Sequence, residues 1–373
     1  MPTIQEALDT IDQWIDDGAV PGAAAAVWHR GEIIAAHTTG EATPGRHVTN
    51  DTIFALASVS KPMTAAAVMQ VLDREDVDLD TPLAEILPEF ESVEDPFDED
   101  LLPQLEAQRH EVTMRQLLCH TSGLPENVGV KRIRMTALPS LGEIVDVMCN
   151  VPLQSPPGET LRYSNVGLAL AARAASRLAD RDFHSMLQED ILDPAGLDGI
   201  VLRPGPKLDD RVAHVDDAAG NGGKSESYNS RYWRDMGIPW GGYFGTALDV
   251  LRFATSFLPG QASPLRDDLK AQMVVDNTGG VPGGVNSAGF HWEEGAWGLG
   301  WEVKGSKRNH PTGTLTSEGT WCHWGQSGTM VWVDPARELG LSVFSNRTVM
   351  KGWPLRPPRW STLSDAVISA VGP

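Results

Sequence analysis

A lysine set between two apolar runs places the strongest constraint on how this 373-residue chain folds. Ile53-Phe54-Ala55-Leu56-Ala57 precedes Ser58-Val59-Ser60-Lys61, and Pro62-Met63-Thr64-Ala65-Ala66-Ala67-Val68-Met69 follows it. The second run reads as an apolar helix, and a charged amine at its head is costly unless it is paired or neutral. Lys61 therefore has either a partner or a task. Ser58 lies three residues earlier, and at the start of a helix that spacing puts both side chains on one face, the amine within reach of the hydroxyl. A serine hydroxyl is a poor nucleophile until a neighbour takes its proton. Lysine does this only when burial or nearby positive charge lowers its pKa. The same four residues also fit a helix-capping serine with a solvated lysine one turn on. No other Ser-x-x-Lys occurs in the chain.

Two further stretches offer companions. Tyr163-Ser164-Asn165 follows the turn Pro156-Pro157-Gly158-Glu159 and precedes a helical pattern. In an extended segment Tyr163 and Asn165 point the same way. A phenol relays a proton when a nearby ammonium lowers its pKa, and an asparagine amide holds a lysine or a substrate carbonyl. A buried tyrosine beside a capping asparagine is the plainer reading, but of four tyrosines only this one has an asparagine two residues later. His323-Trp324-Gly325-Gln326-Ser327-Gly328 sits at a strand edge, where glycines admit a close ligand. A backbone N–H from that edge and the N–H of Ser58 would make a two-donor oxyanion hole. A bulged edge strand with a packed tryptophan is the alternative.

Composition removes several function classes. Apolar residues make up 41% and charged residues 21%, an ordinary globular balance, with no stretch long and apolar enough to span a membrane. A net charge of −20 repels nucleic acid and anionic lipid, so neither is an expected partner. The acidic run from Glu89 to Asp100 reads as a solvated loop; its spacing matches no calcium-binding loop. Cys119, Cys149 and Cys322 are odd in number and scattered, against zinc and against a disulfide framework. With no basic segment followed by an apolar one at Met1 to Glu6, they give an expectation of a cytoplasmic protein with no metal and no cofactor.

The hydrophobic periods predict a mixed α/β (α+β) fold. Ile4 to Ile15 reads as one amphipathic helix ending before Gly18, and Ala23–Val27 with Ile33–His37 as a hairpin. Helices are expected from about Ser60 to Leu72, after Thr113, over Leu141–Met148 and Val166–Ala179, from Asp249, and over Ser361–Val371. Trp297 to Val303 reads as a strand, and Thr329–Val333 with Leu339–Phe344 as a second hairpin. The simplest packing draws an antiparallel sheet from both chain ends, flanked by helices, with a mainly helical lobe beside it. The expected division is 1–75 with 290–373 as the sheet-and-helix lobe, and 76–289 as the helical lobe. The aromatic stretch around Tyr232, Trp233 and Trp240 is core or the lining of a substrate pocket.

In order and separation, Ser58-x-x-Lys61, Tyr163-x-Asn165 and His323-x-Gly325 resemble the class C β-lactamase-like serine hydrolases. That group includes penicillin-binding proteins, DD-peptidases, D-aminopeptidases and family VIII esterases. Leu117-Leu118-Cys119-His120-Thr121-Ser122-Gly123-Leu124-Pro125, Gly241-Gly242, Trp297-Gly298-Leu299-Gly300 and Val333-Asp334-Pro335 look like further family signatures. The resemblance implies that Ser58 is acylated, that Lys61 and Tyr163 share the proton traffic, and that Asn165 orders Lys61 and the substrate. It also implies an oxyanion hole from the N–H groups of Ser58 and Gln326, and a structural His120. One departure stands out. The β-lactamases of this group carry Lys-Thr-Gly where this chain has His323-Trp324-Gly325. A mostly neutral histidine grips a substrate carboxylate less well, and Trp324 adds an apolar face. The expected substrates are small, partly apolar esters, with amides, D-amino-acid derivatives or weak β-lactam turnover as alternatives on the same site. A non-catalytic binding protein and an acyltransferase on the same fold are the rivals of another class.

Overall fold

Residues 22–43 form the first hairpin that the spacing predicts, in a computed structural model that describes residues 3–93, 102–129, 132–217, 227–349, 353–355 and 358–372. By internal contacts the chain divides into two compact units. One comprises Met1–Ser60, Leu192–Lys270 and Lys304–Pro373, the other Lys61–Ile191 and Ala271–Val303.

In the first unit, β1 (Gly22–His29) and β2 (Glu32–Thr43) are joined by a tight turn, with Arg30 and Gly31 both at positive φ. The C-terminal end supplies β3 (Trp321–Gly325), β4 (Thr329–Asp334) and β5 (Leu339–Ser345). They lie in the order β3-β4-β5-β1-β2, antiparallel throughout, with Ala25 opposite both Val343 and His37. Both chain ends thus build one antiparallel sheet, as expected. Alternation assigns its faces. Ala23, Ala25 and Val27 join Met330 and Trp332 in a core with Leu8, Ile11 and Trp14 near the N-terminus and Trp360, Leu363 and Val367 of the Arg359–Val371 helix. On the other face the Ala247–Thr255 helix takes a hydrogen bond from Ser342 Oγ to Ala247 O at 2.8 Å and one from Trp321 Nε1 to Ala254 O at 3.3 Å.

The second unit is mainly helical. The Lys61–Arg74 and Asn165–Ala179 helices pack together, joined by Met114–Leu118 and Leu141–Cys149. Thr113 and Ser140 close capping boxes at the starts of the latter two, so their first turns are fixed by sequence-local bonds. Leu161–Arg162 runs parallel to Gly283–Val285, which pairs antiparallel with Phe290–Trp292.

Several expectations need correction. The division falls elsewhere: 192–270 groups with the sheet unit, because Phe244–Gly245 pairs with Phe54–Ala55 and the Ala247–Thr255 helix covers the sheet. Residues 61–75 and 290–303 group with the helical unit, because the Lys61–Arg74 helix packs on Asn165–Ala179. The N-terminal helix is two short ones, Ile4–Asp9 and Asp12–Asp16, with Thr10 Oγ1 bonded back to Ala7 O at the break. Trp297–Val303 is not one strand. It doubles back so that Gly298 N donates to Trp301 O and Trp297 bridges Glu302, with Gly300 at φ +85°. Of the acidic run, Glu94, Asp95, Asp98, Glu99 and Asp100 lie outside the described residues. Among the described residues, no helix is long and apolar enough to cross a membrane.

Candidate active site

Ser58 lies in the 3-10 turn Ala57–Ser60, which runs directly into the helix headed by Lys61. From Thr52 to Met69 every residue is buried except Ser58, which is half-exposed. The residue before it, Ala57, has φ +46°, a left-handed conformation that a residue with a Cβ adopts only at a cost. The turn is held there by main-chain bonds from Leu56 N to Tyr243 O and from Val59 N to Leu56 O, and by Tyr243 N donating to Ser60 Oγ at 3.2 Å. The end of β3 packs on the same turn. Ser327 Oγ donates to Ala55 O at 2.5 Å, and Thr329 Oγ1 donates to Leu56 O at 3.0 Å. A Cβ on Gly325 would lie 2.2 Å from Leu56 O, so only glycine fits.

His323 and Gly325 share one face of β3, and strand alternation sends Trp324 to the other. There Trp324 packs, half-buried, against the core of the terminal helices. The apolar lining expected from Trp324 beside Gly325 is therefore not where the sequence reading put it. His323 is buried, and its Nδ1 bonds the Trp324 carbonyl at 3.0 Å. A carbonyl only accepts, so Nδ1 carries a proton and donates it there. Gln326, exposed, sits in the turn closed by Gly328 N donating to Gly325 O. Tyr232 and Trp233 are half-buried on the Arg231–Met236 helix, with Trp233 edge-on to Tyr228 at 5.5 Å, and Trp240 is buried.

In the other unit, Lys61 is fully buried, and its Nζ lies 4.7 Å from the centre of the Tyr163 ring. Burial pushes its pKa well below the ordinary lysine value, and the Glu126 carboxylate pulls it partway back. Tyr163 is buried in an aromatic cluster with His120 at 4.6 Å and Trp297 at 5.6 Å between ring centroids. Ser164 caps the Asn165–Ala179 helix by accepting from Gly167 N. Asn165 donates its side-chain amide to Asn127 Oδ1 at 2.7 Å and its main-chain N–H to Glu126 O. Glu126 is also held by Ser287, whose Oγ donates to its carboxylate at 2.6 Å. Sequence reading brought Lys61 and Tyr163 together and missed Ala57, Glu126 and Trp297. A positive φ on alanine and an acid that meets Lys61 only through the fold leave no mark in a local pattern.

The sheet, the covering helices and the paired lysine and tyrosine define a β-lactamase-type α/β protein. The chain belongs to the beta-lactamase family, whose model matches residues 6–360. It is 32% identical to penicillin-binding protein 4 of Amycolatopsis lactamdurans over 66% of this chain, spanning 61% of that protein's own length. Esterase EstB of Burkholderia gladioli is 28% identical over 96% of this chain and 94% of its own. A family VIII carboxylesterase shares the fold with a TM-score of 0.79, at 19% identity over 99% of this chain and 98% of the other. Members of this family are hydrolases that include esterases and penicillin-binding proteins.

Proposed function

We propose that this protein is a serine hydrolase that forms an acyl-enzyme on Ser58 and acts on small, partly apolar carboxylic esters. The observation that carries this reading is the buried Lys61 amine on the Tyr163 ring, at the head of the helix that follows the half-exposed Ser58. A lysine whose charge is disfavoured by burial is more readily found as the neutral amine, the form that accepts a proton as a general base must. Ser58 Oγ attacks the ester carbonyl carbon as Lys61, directly or through Tyr163, takes its proton. The backbone N–H groups of Ser58 and Gln326 hold the oxyanion. The intermediate collapses, the alkoxide leaves with the proton, and the serine ester remains. Water then attacks that ester with the same base and releases the acid. Asn165 orients the substrate carbonyl, while Tyr232, Trp233 and Trp240 line the pocket. The near full-length likeness to an esterase supports an ester over an amide.

Ser58→Ala is expected to stay folded, to lose covalent labelling by a fluorophosphonate, and to lose turnover of p-nitrophenyl esters. Tyr163→Phe is expected to lower kcat by ~10²-fold or more. Screening short p-nitrophenyl esters against nitrocefin, D-amino-acid amides and alcohol acceptors separates hydrolysis of esters from the peptidase, β-lactamase and acyltransferase outcomes. Labelling of a serine other than Ser58 with full activity in Ser58→Ala overturns the proposal.

A further inference from the structure

His120 accepts a main-chain hydrogen bond from the residue on each side of Tyr163. The Arg162 N–H donates to the main-chain carbonyl of His120 at 2.8 Å, and the Ser164 N–H donates to His120 Nδ1 at 3.1 Å. The imidazole also lies against the Tyr163 ring at 4.6 Å and edge-on to Trp297 at 4.9 Å. Because Nδ1 accepts a hydrogen bond, the ring is neutral with its proton on Nε2. His120 has no exposed surface, and its φ of +63° is one that histidine adopts only where surrounding structure enforces it. Its neighbours fix the loop in turn: Thr121 N donates to Gln116 O, and Gly158 N to Thr121 O. His120 thus bonds the chain before and after Tyr163, beside the bond from Tyr163 N to Gly284 O, and limits the plane of the tyrosine ring.

We infer that His120 is a positioning residue for Tyr163, holding the phenol ring against the Lys61 amine through two main-chain bonds and one ring contact. It touches no reacting atom and acts only through the tyrosine. This inference rests on the proton-transfer role proposed above for Tyr163. It makes a specific claim about energies: the effect of His120 on turnover passes through the tyrosine hydroxyl, so the two residues are coupled and not additive.

The test is a double-mutant cycle read as kcat per fluorophosphonate-titrated active site. His120→Gly tolerates the left-handed backbone and removes both the acceptor and the ring. It is expected to lose ~10²-fold in kcat, the order produced by misplacing a catalytic group by about 1 Å, with KM changed little. His120→Asn also tolerates that backbone and keeps an acceptor where Nδ1 stood, so it recovers most of the loss. His120→Gly combined with Tyr163→Phe is expected to be no slower than Tyr163→Phe alone. A role in folding alone lowers the number of titrated sites and the melting temperature but leaves kcat per site unchanged. Native kcat in His120→Gly beside an impaired Tyr163→Phe overturns the inference alone, as does full additivity in the double variant. Native kcat in Tyr163→Phe overturns the tyrosine reading and the inference with it. Should the glycine variant not fold, His120→Asn carries the same cycle: its smaller loss must vanish in the Tyr163→Phe background, and a loss that persists there overturns the inference.

Discussion

Gly325→Ala tests the contact between the end of β3 and the turn that carries Ser58. An alanine Cβ at 325 would stand 2.2 Å from Leu56 O, 2.5 Å from Thr329 Oγ1 and 3.2 Å from Ala57 Cβ. Thr329 Oγ1 can rotate, but only by giving up its 3.0 Å bond to that same carbonyl. The Leu56 carbonyl cannot move without the turn, because it accepts the Val59 N–H within it. To reach ordinary van der Waals separation the strand and the turn must part by about 1 Å, since a close-packed interior has no slack to absorb the methyl. Overpacking of this kind costs about 1–3 kcal/mol in stability. A displacement of about 1 Å at a nucleophile costs ~10²-fold in rate. The expected result is a folded variant with a modestly lowered melting point and a kcat for p-nitrophenyl butyrate reduced by ~10²-fold, normalised to fluorophosphonate-reactive sites. A Gly325→Ala protein with the native circular dichroism spectrum and native kcat per site refutes the reasoning.

Other perturbations probe the lysine and the strand edge. Lys61 holds its proton less readily in the folded chain than in the unfolded one, so stability rises with pH between its lowered folded pKa and the ordinary 10.5. Lys61→Met removes that penalty and with it the activity. The variant should therefore be more stable than the native chain in urea at pH 7, and the gap should shrink as pH approaches 10.5; a gap that is constant or widens refutes the assignment. Native turnover should rise with pH through the lowered lysine pKa, since only the neutral amine accepts a proton, and a rate that falls over that limb contradicts the role. His323→Lys should raise acylation by a carboxylated β-lactam relative to a neutral ester by about tenfold, the worth of one charge-assisted hydrogen bond. An unchanged ratio in competition labelling shows that this position does not face the substrate.

The legible parts of the fold were those with short-range causes. The helix cap at Thr113, the Arg30-Gly31 turn and the apolar runs of β1, β4 and β5 each need only a few neighbouring residues to be recognised. The misread parts depend on partners far away in sequence. Trp297 to Val303 has the apolar content of a strand, yet Gly300 takes a positive φ against Ala65 and Lys61, a contact no local pattern announces. The assignment of 192–270 failed for the same reason, because Phe244–Gly245 acquires its strand character only by pairing with Phe54–Ala55. At the site, the pairing of Lys61 with Tyr163 was legible because each stands in an ordered set of motifs. His120 was recognised as structural, but its two bonds around Tyr163 were not readable from the stretch that contains it.

The proposed preference for uncharged esters rests on different ground from the sequence reading. There, His323 and Trp324 worked together, one withdrawing a positive charge and the other adding an apolar wall. The fold separates them, with His323 and Gly325 on the face of β3 that meets the Ser58 turn and Trp324 against the core beneath the terminal helices. What distinguishes this edge from a lysine-bearing one is then the chemistry of a single buried imidazole. Its Nδ1–H is committed to the Trp324 carbonyl and is not offered to a substrate. An ammonium in its place would offer a carboxylate a fixed charge and three donors, a demand that an uncharged ester does not make. Under the proposed function, discrimination by charge at this position thus needs only an imidazole in place of an ammonium, with no bulk from the neighbouring tryptophan.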